Sequence, residues 1–217
     1  MTPDMRIAIA LTALALIHVA MAEPTPAETK TRVLIDKLAL DEFGRKHPRA
    51  LDPDQYEEWM KGRRAVFAAA DELIKLGAAS LPFVLEHLND SRESVETKRV
   101  IRESAPTVGN VCEMILSQQI YSLPDGYSGS LYRNGADGKL HERPVFSKDL
   151  FTGGITKWLA DRKGRSFAEL QLEGLSWVLI EEERIGAYAK EDEKEILAPL
   201  RSKREQLVKL VEAERKK

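Results

Sequence analysis

Between Leu51 and Asp90 the start and stop signals lie so close together that two consecutive helices are the only arrangement that uses them all. Asp52 stands at an N-cap, Pro53 at the first helical position and Gln55 three residues after the cap. The aspartate can accept from the exposed amides while the glutamine reaches back, and Leu51 can staple against Tyr56. Tyr56, Trp59, Met60, Val66, Phe67, Ala70 and Ile74 then recur at steps of three, four or seven, which predicts one apolar stripe ending at Leu76, with Gly77 in the capping place. Gly62 weakens the interior by about 1 kcal/mol relative to alanine and marks an expected bend. Pro82 opens a second helix, where a missing amide costs nothing. Leu81, Val84, Leu85 and Leu88 supply its buried face, and Asn89-Asp90-Ser91 stop it.

The arrangement L-G-x-x-x-L-P-x-V-L-x-x-L-x-D, running from Leu76 to Asp90 and followed by Val95, resembles the HEAT-type repeat. The resemblance spans about one unit, from Arg63 to Val95. In that family the proline starts the second helix and the aspartate closes the turn into the next unit. Helical pairs of this type present a concave surface to other proteins, and the resemblance implies the same mode here. Two departures stand out: Glu96 replaces the arginine that usually follows the valine, and VETKRVIRESAP replaces an alanine-rich helix. No second copy recurs at a fixed period, whereas a solenoid needs about three units to bury a continuous core. The expectation is therefore an all-α fold of antiparallel helical hairpins, HEAT-like but irregular.

Downstream, Thr107 to Tyr121 reads as a helix with Val108, Val111, Cys112, Ile115 and Leu116 on one face. The texture then changes. Pro-Asp-Gly, Ser-Gly, Asn-Gly and Asp-Gly follow within SLPDGYSGSLYRNGADGKLHERP, and each favours a turn. This defines a long Gly/Pro-rich loop insertion, 122–146, in which Leu131-Tyr132-Arg133 and Lys139-Leu140-His141 can pair as a small β-hairpin. Helical patterning returns with Leu150, Phe151, Ile155, Trp158 and Leu159. Ser166 and Glu169 form a second capping box ahead of Phe167, Leu170, Leu175, Val178 and Leu179. A last helical region starts near Glu191 and is bent or restarted by Pro199. The Leu200, Leu207, Leu210 and Val211 stripe then runs toward a charged end.

The amino-terminal segment bears on location. Ile7 to Ala20 is a mostly apolar run of 14 residues, short of the roughly 20 that span a bilayer as a helix. It ends in Ala20-Met21-Ala22, a small-x-small pattern, before Glu23, Pro24 and Pro26. This reads as a signal peptide, 1–22, cleaved between Ala22 and Glu23. A flexible leader, 23–30, and a single α-helical domain, 31–217, are expected to follow. The product is exported, periplasmic or extracellular, with no stable membrane span once the signal is removed. Lys and Arg number 33 against 35 Asp and Glu, a balance that lacks the basic face a nucleic-acid binder needs. Cys112 is the only cysteine, so no intramolecular disulfide forms and packing must supply the stability.

No Walker loop, G-x-G-x-x-G, G-x-S-x-G, H-E-x-x-H or paired-cysteine motif occurs, so no catalytic, cofactor-binding or metal residue is assigned. Cys112 lies on an apolar face and reads as a small buried hydrophobe. His47 and His87 read as solvated or hydrogen-bonded. The run Glu181-Glu182-Glu183 reads as surface, because consecutive helical positions point about 100° apart and cannot converge on one ion. Asn134 to Gly138 lacks the alternating acidic ligands of a calcium loop and reads as turn chemistry.

The long loop is the candidate binding segment. Tyr127, Tyr132, Arg133, His141 and Arg143 are of the aromatic and arginine types enriched at binding hot spots. The function expected is a non-catalytic, exported interaction or scaffold module with a protein or cell-envelope partner. The alternative is an exported hydrolase with His141 as general acid/base at the loop–helix junction. A structural oligomer joined through the carboxy-terminal helix is a third reading. Amino-terminal sequencing of the protein recovered from the exported fraction should begin at Glu23, and a chain that retains Met1 there would remove the signal-peptide assignment.

Overall fold

The computed structural model describes residues 25–41, 44–45, 51–95, 106–125, 127, 131–147 and 150–216. The signal segment, the Ala22–Glu23 junction, His47 and Glu96 lie outside the described residues. The chain is mostly helical, with a small two-stranded antiparallel sheet. In order, α1 spans Pro26–Asp36, α2 Pro53–Leu76 and α3 Leu81–Glu86, and α4 spans Val108–Tyr121. Strands β1 (Tyr132–Asn134) and β2 (Leu140–Glu142) follow, then α5 (Pro144–Ser147), α6 (Ile155–Ala160), α7 (Phe167–Ile185) and α8 (Ala198–Glu214).

Local chemistry places these boundaries. Reciprocal capping boxes start α1 at Thr25 and Glu28, α2 at Asp52 and Gln55, α4 at Thr107 and Asn110, and α7 at Ser166 and Glu169. The box at Thr25 corrects one expectation: Pro26 to Lys30 are the first turns of α1 rather than a flexible leader, because the cap precedes the first apolar residue by several positions. Helix α2 runs unbroken through Gly62. Its buried side chains are Trp59, Val66, Ala69, Ala70 and Leu73, while Tyr56 and Phe67 stay exposed. Tyr56 instead stacks on Trp59, with ring centroids 5.6 Å apart.

Helix α4 is the centre of the packing, in contact with α2, α3, α6 and α7, and α7 in turn carries α8. Val108, Cys112, Ile115, Leu116 and Ile120 on α4 are fully enclosed, and Leu73, Val84, Leu175, Val178 and Leu200 meet the same core. Two close approaches set these crossings. A Cβ on Gly174 would stand 2.5 Å from the Ile120 carbonyl oxygen, and one on Gly109 would run into the Leu88 carbonyl. The end of α2 needs partners for its last carbonyls, and polar side chains supply them. Gln119 Nε2 donates to the Leu73 carbonyl at 2.7 Å and to Ser80 Oγ at 2.8 Å, while Ser80 Oγ donates to Leu73 O at 2.9 Å. The turn after α3 is closed by Asp90, whose carboxylate accepts from the Arg92 guanidinium and amide and contacts His87 Nδ1 at 3.0 Å. The Arg92 guanidinium beside it holds the Asp90 carboxyl well below the usual carboxylate range.

Pro199 acts on the chain before it. It cannot donate to the Glu195 carbonyl and its ring crowds that turn, so Glu193–Leu197 widens into a π-helix, with the Ala198 amide bonded to the Glu193 carbonyl. Beyond it Leu200, Leu207 and Val211 face the core as the stripe predicts, with Leu210 exposed.

The two interior glycines make opposite demands. A Cβ on Gly62 would meet nothing within 4 Å, so Gly62→Ala should add about 0.5–1 kcal/mol of stability. Gly174→Ala should cost about 1–3 kcal/mol through overpacking against the Ile120 backbone, in spite of its better helix propensity. Urea unfolding midpoints of the two variants beside the wild type check both signs.

Candidate functional site

The hairpin is antiparallel with Tyr132 opposite Glu142, Arg133 opposite His141 and Asn134 opposite Leu140. The Gly135 amide bonds the Lys139 carbonyl and the Arg143 amide bonds the Leu131 carbonyl. In a two-residue period Arg133 and His141 therefore share one face, while Tyr132 and Leu140 share the other. The outer face also carries Asn134 and Glu142, so each apolar side chain there is paired with a polar one. The charged face turns toward α7: Arg133 is buried and Arg143, just past β2, is 1% exposed. The apolar side chains face water, Tyr132 at 48% and Leu140 at 66% exposure.

Glu182 of α7, with no exposed surface, receives the buried charges. Arg133 Nε lies 2.7 Å from Glu182 Oε2, and Arg143 Nε lies 3.1 Å from Glu182 Oε1. The Tyr127 hydroxyl donates to Glu182 Oε1 as well, and the Arg143 guanidinium lies over the Tyr127 ring, 3.9 Å from its centroid. Burial, together with the Glu182 charge, pushes the Tyr127 hydroxyl above the usual tyrosine range, so it remains a donor. Arg133 has a second task. Its Nη2 donates to the Glu182 carbonyl at 2.9 Å and its Nη1 to the Gly186 carbonyl at 2.7 Å. A cation placed on the last carbonyls of α7 satisfies orphan acceptors and opposes the negative end of the helix dipole. The backbones meet beside it, with the Ala136 amide 3.0 Å from the Ile185 carbonyl. A Cβ on Gly135 would lie 2.9 Å from that same carbonyl oxygen, so a side chain there would push the turn off the helix end.

The five loop residues singled out in the sequence thus divide. Tyr127, Arg133 and Arg143 converge on Glu182 and hold the loop in place. Tyr132 and His141 are directed elsewhere: His141 Nε2 sits 2.8 Å from Asp137 Oδ1 across the turn, and that hydrogen bond is the main reason the Asp137 carboxyl is held below its ordinary value. The acidic run requires a correction. Glu183 is on the surface, but Glu182 is fully buried. The sequence held a usable signal, since Glu182 falls four residues after Val178 and three before Ile185, both buried on the same face. Leu140 and Tyr188, 60% exposed beside the Gly138 turn, were not singled out and belong to the outward surface.

Cys112 sits in the core with its thiol pushed up to about 12, chiefly by burial. Among the described residues no group of three or more His, Cys, Asp or Glu is arranged to hold a metal ion, and no helix is long and apolar enough to cross a membrane. An open groove of about 480 Å3 runs between α1 and α2 over Leu34, Leu40, Ala65, Val66 and Ala69. Compared with known proteins, the chain matches no family model, no curated protein and no solved structure.

The Cys112 environment predicts a thiol that does not react in the folded protein. A chromogenic disulfide reagent at pH 8 should leave Cys112 unlabelled until denaturant is added, and rapid labelling of the native chain would show that the helix α4 face is open.

Proposed function

We propose that this is an exported, non-catalytic interaction module of the cell envelope, and that the outer face of the hairpin is its contact surface. The observation that supports the reading is how the hairpin sits: its arginines are buried, while Tyr132 and Leu140 are presented to water and Tyr188 lies exposed near the Gly138 turn. Exposed tyrosine and leucine on a strand pair otherwise invite aggregation, so a surface that keeps them is best explained by a partner that covers them. The buried ion cluster supports the same reading. Taking three charges out of water adds little net stability, but it fixes where the hairpin sits, and a binding surface has to be held on a rigid frame. In this proposal the frame is the helical body, with α2 and α3 as a HEAT-like pair and α4 packed across them.

A second reading, an exported hydrolase with His141 as general acid/base, takes its support from the His141–Asp137 pair, in which the carboxylate orients the imidazole. His141→Gln separates the two, because it should leave partner binding intact and would abolish a His141-dependent activity.

A photo-reactive phenylalanine analogue at position 140, expressed in the source cells, should give a discrete higher-mass adduct. The same analogue at Lys209 on the exposed side of α8 should give none. Equal adducts at both positions, or none at 140, would move the contact surface away from the hairpin.

A further inference from the structure

Polar groups fasten the hairpin to the end of α7. Among the described residues, none from 131 to 143 belongs to the apolar core, and its large apolar side chains, Leu131, Tyr132 and Leu140, are all exposed. These fastenings meet at the last turn of α7 and the Gly186 cap that follows it. Arg133 and Arg143 reach the Glu182 carboxylate, Arg133 reaches the Glu182 and Gly186 carbonyls, and the Ala136 amide reaches the Ile185 carbonyl.

Such an attachment has particular energetics. The attraction between buried ions is largely offset by the water they give up, so an intact buried cluster holds much less firmly than its contact list suggests. If the hairpin swings away as a whole, Arg133, Arg143 and Glu182 regain water together, and little apolar surface of the hairpin is newly exposed. The helical core is different. Opening α4 from α7 would expose Ile115, Ile120, Leu175 and Val178, all enclosed, and no hydration of charge compensates for that. The opening free energies of the hairpin and of the helices must therefore differ widely.

The geometry points to a latched strap: residues 131–143 open and close on the end of α7 as one unit while the helices stay packed, and the Glu182 carboxylate is the latch. This holds whether or not the outer face of the hairpin binds a partner. Glu182 does not act by contact with any ligand; it is a positioning residue for the strap.

Amide hydrogen exchange on the full chain tests the strap. The reporters are the Ala136 amide, bonded to the Ile185 carbonyl on α7, and the Gly135 and Arg143 amides, bonded within the hairpin to the Lys139 and Leu131 carbonyls, which a two-stranded ribbon freed from the helix is too weak to keep protected; the references are amides in the middle of α4 and α7. In the wild type the three reporters should exchange with a common opening constant at least about a hundredfold larger than that of the references. Glu182→Gln removes the carboxylate that both buried arginines contact. It should raise all three reporters together by about tenfold or more, with the references changing less than about threefold. Arg133→Lys keeps the charge but loses the fork of donors, and it should raise the reporters together by a smaller factor. Far-UV circular dichroism establishes that each variant is folded; if Glu182→Gln is not, the wild type and Arg133→Lys decide. Wild-type reporters as slow as the references would overturn the proposal, as would variants that speed the references equally or move the three reporters independently.

Discussion

One buried carboxylate organises the β-hairpin and the tyrosine ahead of it. Glu182 accepts from two arginines and a tyrosine that come from three positions of a turn-rich stretch, Tyr127, Arg133 and Arg143. Without it, two guanidinium groups enclosed by protein would lose the carboxylate they share, and a buried charge that loses such a partner is costly. The conformation of the hairpin is thus dictated from outside by the helix it rests on. Arg133 completes the exchange by capping that helix, so each element finishes the other.

The helical body rests on a different physical term. Helix α4 is enclosed on nearly all sides, and its position follows from where backbones can touch, at Gly109 against Leu88 and at Gly174 against Ile120. Polar side chains enter this region only where a helix end demands them, as with Gln119 and Ser80 at the last carbonyls of α2. The aromatic cluster of Tyr121, Phe151, Trp158 and Trp177 extends the core toward α6 and α7. Arg162 closes it from outside, lying over Trp158 while Glu173 grips it through both oxygens. Dispersion and burial hold the helices, and ionic contacts hold the hairpin. The two parts are expected to respond differently to salt and to denaturant.

What could be read from the residues alone follows the range of the physics involved. The caps at Asp52 and Ser166, the stop at Gly77 and the start at Pro82 act within a few residues, and the fold places each of them where the pattern does. The β-hairpin emerged within one residue of its expected strands because turn chemistry is equally local. Tyr56 and Phe67 were read as core because spacing alone does not say how far a partner helix extends, and α2 has its enclosed neighbours mainly on the Val66–Leu73 stretch. Glu182 was read as surface because the arginines that neutralise it lie 39 and 49 residues away, a separation that no periodicity records. The loop was singled out for its aromatic and arginine residues; its two arginines pair with Glu182, and its most exposed large apolar residue is Leu140.

The π-helical stretch before Pro199 alters how this chain counts its residues. Five residues per loop of hydrogen bonding, where the α-helix uses four, take up one extra position without moving the helix axis, so the apolar stripe of α8 begins one residue late and is still in phase with α7. With one residue fewer here, and Pro199 replaced by a residue that has an amide, an ordinary helix would keep Leu200, Leu207 and Val211 in the same places on the core. A shortening of one residue between 193 and 197, made together with that replacement, is thus the change this region can absorb by relaxing its winding. The same shortening further along, inside α8, has no slack to draw on and would turn the stripe by about 100° away from its partner.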